Sequence, residues 1–191
     1  MKRVNPFEFG KDQDNYLFHL ARYMFVARQL KKTDSVLEVG CGTGYGAKLL
    51  ADFAKTVVAV DTSIELKSCW NRYKSHHLTF QTQIPNDQFD AVVSFEVIEH
   101  VEEDRVDSFL SDLKRCAMPC GTVYISTPRA LPFELRSPNR QKFHKKEYSP
   151  VEFRLLLDTY FSRVFLFAQN DTIISYQNLE MCWNMVAICI P

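Results

Sequence analysis

Two stretches of this sequence carry groups able to do chemistry together. Glu96-Val97-Ile98-Glu99-His100 offers two carboxylates and an imidazole. Far along the chain, Phe143-His144-Lys145-Lys146-Glu147-Tyr148 offers a second imidazole. If the first stretch forms a helical turn, Glu96 lies near Glu99 at i+3 and His100 at i+4, so three ligands converge. The set Glu96, Glu99, His100 and His144 would suit Mg²⁺, Mn²⁺ or Fe²⁺ better than a thiolate-type zinc site.

A second kind of chemistry is written in glycine. The chain has only six glycines, and Gly40, Gly42, Gly44 and Gly46 fall in one short stretch. The string Ser35-Val36-Leu37-Glu38-Val39-Gly40-Cys41-Gly42-Thr43-Gly44-Tyr45-Gly46 runs from a strand pattern into a helix pattern. Glycine there lets the backbone turn sharply and a ligand approach the main chain, while the next helix presents free N–H groups. Asp61 ends the following strand, where an acid grips the two ribose hydroxyls of a nucleotide-like cofactor. A dinucleotide site would want G-x-G-x-x-G, and a P-loop would want Gly-Lys-Ser/Thr; neither is present.

These groups need a scaffold, and the apolar periodicity describes one. Helical spacing covers Asp12 to Lys32 with Asp14 as N-cap, then Ala47 to Ala54, Ser63 to Tyr73, Glu102 to Cys116 and Pro150 to Tyr160. Short strand patterns cover 35–39, 56–60, 78–81, 91–95, 122–126, 163–168 and 184–190. Strands alternating with helices predict an α/β fold with a mostly parallel sheet covered on both faces. The last two strands have no helix between them and are expected to pair antiparallel.

The glycine turn after Glu38 resembles motif I of the class I S-adenosylmethionine-dependent methyltransferases. The likeness continues through Asp61, the fourth-strand pattern Phe89-Asp90-Ala91-Val92-Val93-Ser94-Phe95 and the turn Pro119-Cys120-Gly121-Thr122, over roughly residues 14–190. It implies a Rossmann-like sheet of seven strands ending in an antiparallel hairpin. It also implies a single domain over 1–191, with 1–32 as a helical lid and 129–149 as an acceptor-side loop. The cofactor would be S-adenosylmethionine, bound by Glu38, Gly40, Cys41, Gly42, Gly44, Asp61, Thr62, Phe95 and Glu96, with Arg22 gripping the methionine carboxylate. Many members carry an acid after the third strand, near the adenine. Here Thr79-Phe80-Gln81-Thr82-Gln83-Ile84-Pro85 has none, so a glutamine or the backbone must substitute.

The carboxylate–histidine set resembles the metal ligands of small-RNA terminal 2′-O-methyltransferases and of ubiquinone-pathway O-methyltransferases. Such a site implies a Mg²⁺ or Mn²⁺ ion that lowers the pKa of an acceptor hydroxyl, with His100 or His144 as catalytic base. The competing reading is metal-free, with Glu96 facing the cofactor and His100 packing. Residues 144–153 are similar to stretches in glycan- and small-molecule-modifying enzymes, so O-methylation of a sugar or small diol leads. A metal-dependent 2′-O-methyltransferase for RNA ends is the alternative, and a catalytically inactive cofactor-binding regulatory subunit is a third.

Composition narrows the partners. Lys plus Arg (23) balance Asp plus Glu (23), so no global pull toward nucleic acid or an acidic membrane is expected. That neutrality hides an acidic run at 96–107 and a basic one at 129–146, which pair with each other or form a lid for an anionic acceptor. Six scattered cysteines without a C-x-x-C pair, and a start lacking an apolar signal region, read as a cytoplasmic protein with reduced thiols. No apolar run is long enough to span a bilayer.

Overall fold

The computed structural model describes residues 13–176 and 178–191. Strands β1 (Ser35–Val39), β2 (Thr56–Val60), β3 (Leu78–Gln81), β4 (Phe89–Phe95), β5 (Ala117–Pro128), β6 (Arg163–Asn170), β7 (Ile173–Ser175) and β8 (Asn184–Ile190) form one sheet. Their order is β3-β2-β1-β4-β5-β8-β6-β7. The first five are parallel neighbours, and β8 lies antiparallel between β5 and β6. β1 and β4 are buried runs such as Val36-Leu37-Glu38-Val39, the signature of strands covered on both faces. The strand order reverses between β1 and β4, the switch point where open α/β sheets take their ligands.

Helices α1 (Gln13–Ala27), α2 (Tyr45–Ala51) and α3 (Lys67–Trp70) cover one face through a core containing Tyr23, Val26, Ala47, Leu50 and Trp70. Helices α4 (Val106–Cys116) and α6 (Pro150–Asp158) cover the other through Leu110, Leu113, Phe153 and Leu157. The start of α6 is fixed by a capping box: Ser149 Oγ accepts from the Glu152 amide, and the Glu152 carboxylate accepts from the Ser149 amide, with Pro150 in the first turn.

Several expectations are corrected. The sheet has eight strands, not seven, because three residues turn back through Asp171 (φ 55°) to pair β7 with β6; three residues are too few to show periodicity. The antiparallel pair of β6 and β8 is therefore internal, and β7 forms the edge. α1 ends at Ala27, where the amides of Gln29 and Leu30 bond three residues back and tighten the last turn; Asp14 lies inside the helix rather than capping it, and Asp12 lies outside the described residues. The helix expected over 63–73 is a 3₁₀ turn (Ile64–Leu66) followed by the short α3. That over 102–116 likewise opens with a 3₁₀ turn. The segment after β5 is built rather than loose: it holds a 3₁₀ turn, helix α5 (Pro138–Phe143) and a bridge pairing Arg129 with Tyr148. Among the described residues, no helix is long and apolar enough to cross a membrane.

Candidate active site

A cavity of about 1360 Å³ opens at the carboxyl ends of β1 and β4. Its floor is the glycine turn. Gly40, Gly42 and Gly44 have φ of 84°, 53° and 90°, in the left-handed region that glycine adopts without steric cost. At Gly40 a Cβ would lie 2.2 Å from Val97 Cγ2, whereas at Gly42 it would meet nothing within 4 Å. A side chain is thus excluded for packing at Gly40, while at Gly42 the space beside the main chain is empty. The turn is held from beneath by Trp70, whose Nε1 donates to the Gly42 carbonyl, and from the side by Asp61, whose Oδ2 accepts from the Gly42 amide. Asp61 Oδ1 accepts from the Ser63 amide. Cys41, Thr62 and Phe95 also line the cavity, as do Thr82 and Gln83 from the end of β3. Gln81 donates its side-chain amide to the Gln83 carbonyl, shaping that acid-free rim.

Of the expected cofactor residues, Gly44 faces Phe80 and Trp70 rather than the cavity, and Glu38 and Arg22 also stand apart. Both are buried and neither lines the cavity. Glu38 accepts from the Tyr23 hydroxyl at 2.6 Å. Burial pushes its carboxyl up to about 7; Asp61 adds to the rise, and the Tyr23 hydroxyl and Ala47 amide oppose it. Arg22 donates through Nη1 to Gln169 Oε1, and its Nη2 lies 3.9 Å from Glu96 Oε1. Gln169, missed from the sequence, ties α1 to β6 by also donating to the Phe18 carbonyl. Arg22 as a whole is only 1% exposed, and its Nε and Nη2 are buried without a hydrogen-bond partner among the described residues.

The carboxylate–histidine set assembles, but with one member fewer than expected. Residues 96–100 are not a helical turn: Glu96 sits at φ 57° and the 3₁₀ turn begins at Ile98. Glu96 accepts from Ser126 Oγ on Oε1 and from Asn184 Nδ2 on Oε2, both at 2.8 Å. Burial would raise its pKa, yet Arg22, His19 and these two hydrogen bonds outweigh burial and hold it below the usual range. The remaining three, Glu99, His100 and His144, each direct one ligand atom into a group spanning no more than 4.8 Å. Burial, reinforced by Glu96, lifts Glu99 well above the ordinary carboxylate range.

Both imidazoles are held by their Nδ1 atoms. His100 Nδ1 lies 2.9 Å from the Phe143 carbonyl, and His144 Nδ1 lies 2.7 Å from Glu147 Oε1. A carbonyl only accepts, and so does an ionised carboxylate, so each Nδ1 carries a proton, and in the neutral imidazole the Nε2 keeps a lone pair. Burial lowers the His144 pKa and so favours that neutral form. Glu147 is the residue that sequence reasoning missed, although His144-x-x-Glu147 carried the signal. Its carboxylate also takes Arg140 at 2.7 Å and Arg136 at 3.1 Å. Its pKa is held down against the rise that burial causes, chiefly by the bonds from Arg140 and His144. The arginines of the basic segment are thereby engaged close to home: Arg140 Nη2 donates to the Arg129 carbonyl, and Arg129 Nε to the Cys182 carbonyl. Lys145 pairs with Glu102 at 2.7 Å, joining the basic and acidic runs.

A glycine-built cradle at the switch point, a buried acid beside it and this strand order define a class I S-adenosylmethionine-dependent methyltransferase. The chain belongs to the methyltransferase-domain family, whose model matches residues 9–177. It is 34% identical over 161 residues to a protein of Mycolicibacterium smegmatis named a "probable S-adenosylmethionine-dependent methyltransferase", covering 78% of this chain and 60% of that one. A Mycobacterium tuberculosis protein of the same description is 34% identical over 157 residues, covering 76% and 55%. This chain therefore spans less than two thirds of the length of those relatives. Among solved structures, the fold resembles a DhpI–SAH complex (TM-score 0.69, 23% identity, 93% of this chain and 86% of that one). It also resembles the methyltransferase domain of a bacterial Hen1 protein (TM-score 0.67, 18% identity, 91% and 100%). The cradle fits the cofactor: the space beside Gly42 is empty, and Asp61 places a carboxylate at the cavity wall.

Proposed function

We propose that the chain, acting as one domain, transfers the methyl group of S-adenosylmethionine to a hydroxyl of a sugar or small diol, assisted by a divalent cation. One observation carries this reading: Glu99, His100 and His144 converge with both Nδ1 atoms pinned, which leaves two Nε2 lone pairs and a carboxylate for one ion. Two imidazoles with one carboxylate suit a transition-series ion such as Mn²⁺ better than Mg²⁺, which prefers an all-oxygen shell, and Glu147 behind His144 is the orienting carboxylate that metal-bound histidines commonly have.

In this reading Asp61 takes the ribose hydroxyls, the Gly40–Gly44 backbone flanks the methionyl part, and Thr62, Cys41 and Phe95 complete the wall. Arg22, Ser126 and Asn184 fix Glu96 between the cofactor and the ion. S-adenosylmethionine supplies a methyl group already activated by its sulfonium, so what the protein must add is alignment and exclusion of water. A bound divalent ion supplies Lewis acidity that makes the acceptor hydroxyl easier to deprotonate. His100 and His144 would hold that ion through their Nε2 lone pairs, which are then taken up by the metal, so the acceptor's proton would leave to solvent. The first helix acts as the lid, and residues 129–149 wall the acceptor side.

The arginines at 129, 136 and 140 are engaged by protein groups, so this reading favours a neutral acceptor over the phosphate backbone of an RNA end. A Rickettsia typhi ubiquinone biosynthesis O-methyltransferase, 37% identical over 100 residues covering 48% of this chain and 40% of that one, is consistent with a hydroxyl acceptor. The test is transfer of labelled methyl to catechols, sugars and RNA 3′ ends, with Mn²⁺ and with chelator. Transfer to a diol that chelator abolishes is expected. Transfer to RNA alone, full activity in chelator, or tight cofactor binding with no transfer would each overturn this reading, the last in favour of a regulatory subunit.

A further inference from the structure

Backbone conformation accounts for three of the crowded glycines and leaves Gly46 unexplained. Gly46 has no positive φ and lies in the first turn of α2, so no left-handed backbone calls for glycine there. Space explains it. A Cβ at Gly46 would lie 2.1 Å from Tyr23 Cζ and 2.6 Å from the Tyr23 hydroxyl oxygen. The ring arriving from α1 thus occupies the place a side chain would fill. It is held there by edge-to-face contacts with Tyr45 (5.7 Å) and Phe95 (5.2 Å). Tyr23 lines the cofactor cavity, whereas Glu38 behind it does not.

The chemistry of this pair is specific. The Tyr23 hydroxyl donates its hydrogen bond to Glu38 at 2.6 Å, and a phenol oxygen that donates still has lone pairs with which to accept. A buried carboxylate behind that oxygen makes it a better acceptor for a cation, because the charge lies one hydrogen bond away in a low-dielectric setting. The cation available in the bound cofactor, apart from the sulfonium, is the methionyl ammonium.

We propose that Tyr23 is a cofactor-binding residue that accepts from the methionyl ammonium on behalf of the buried Glu38, and that Gly46 is glycine in order to admit its ring. The inference rests on the cofactor assignment and is independent of the acceptor and the metal. It also gives the first helix a role in binding, since that helix brings the group that reads the amino-acid end of the cofactor.

Calorimetry with two ligands tests the proposal. S-adenosylhomocysteine carries the ammonium, and 5′-methylthioadenosine has the same nucleoside without it. Tyr23→Phe keeps the ring in its notch and removes only the oxygen. It is expected to weaken S-adenosylhomocysteine about tenfold while leaving methylthioadenosine within about twofold, the scale of one charge-assisted hydrogen bond. Equal weakening of both ligands would mean a packing role, and no weakening of either would mean the oxygen faces nothing; each overturns the proposal. If neither ligand binds even the unaltered protein, the cofactor assignment itself fails. Gly46→Ala should reproduce the selective loss, and should cost little further affinity in a Tyr23→Ala background; an equal cost in both backgrounds would sever Gly46 from Tyr23.

Discussion

The two ends of the cavity are built by different means. At the cofactor end the main chain is the instrument: three left-handed glycines, a tryptophan bonded to a carbonyl, an aspartate bonded to amides. At the end proposed for the acceptor the instruments are side chains drawn from distant segments, with Glu99 and His100 after β4, His144 after α5, and Glu147 bracing His144 against two arginines. A backbone cradle depends on residue types at fixed local spacing. A side-chain cluster depends on which loops the sheet brings to one edge, and on partners that hold each rotamer.

If the two ends do separate work, damage to one should leave the other's readout standing. The largest effect is expected at the acceptor end. His144→Ala should lower turnover roughly 10²- to 10⁴-fold, with S-adenosylhomocysteine affinity unchanged by calorimetry; a parallel loss of affinity would merge the two ends. Asp61→Ala should do the reverse, weakening S-adenosylhomocysteine by roughly 100-fold through loss of charge-assisted hydrogen bonds, while Mn²⁺ binding persists. Glu147→Gln keeps the shape of the brace but removes its charge, so activity and Mn²⁺ affinity should both fall by roughly 10- to 100-fold.

The smallest effect concerns pH at the cofactor end. Glu38, facing Tyr23 and the more distant Arg22 on α1, Tyr45 and the Ala47 amide on α2, and Asp61 beyond β2, has its carboxyl raised to about 7. A carboxyl raised on folding contributes stability below its unfolded value that is lost as pH rises through about 7. An ammonium ligand favours the ionised form, so S-adenosylhomocysteine affinity should rise by up to roughly tenfold from about pH 6 to about pH 8, following the ionised fraction. The melting temperature of the ligand-free protein should fall over the same interval. A flat affinity profile would detach Glu38 from the ammonium.

What was legible in the sequence divides along the same line. The glycine turn, Asp61 and the parallel strands were readable because each is a local pattern, of spacing or of apolar runs. β7 was not, since three residues paired across a hairpin have no period of their own. The helix expected at 96–100 failed because Glu96 is drawn out of helical conformation by Ser126 and Asn184, one from β5 and the other from β8. The bond from Arg22 to Gln169 was not legible, because Gln169 lies in β6 at the other end of the chain. The basic segment left pairing and a lid both open in the sequence, and the Glu147 carboxylate that gathers two of its arginines was one acid among many. Glu99, His100 and His144 were grouped from the sequence, but Glu96 could not be separated from them without the fold.

The central claim is that Glu99, His100 and His144 hold a divalent ion beside the transferred methyl group. Crystals of the protein with S-adenosylhomocysteine and Mn²⁺, measured for anomalous scattering, test it directly. One strong peak is expected, bounded by the Nε2 atoms of His100 and His144 and a Glu99 oxygen, and facing the cofactor sulfur. No peak there, at Mn²⁺ concentrations that support full turnover, would contradict it.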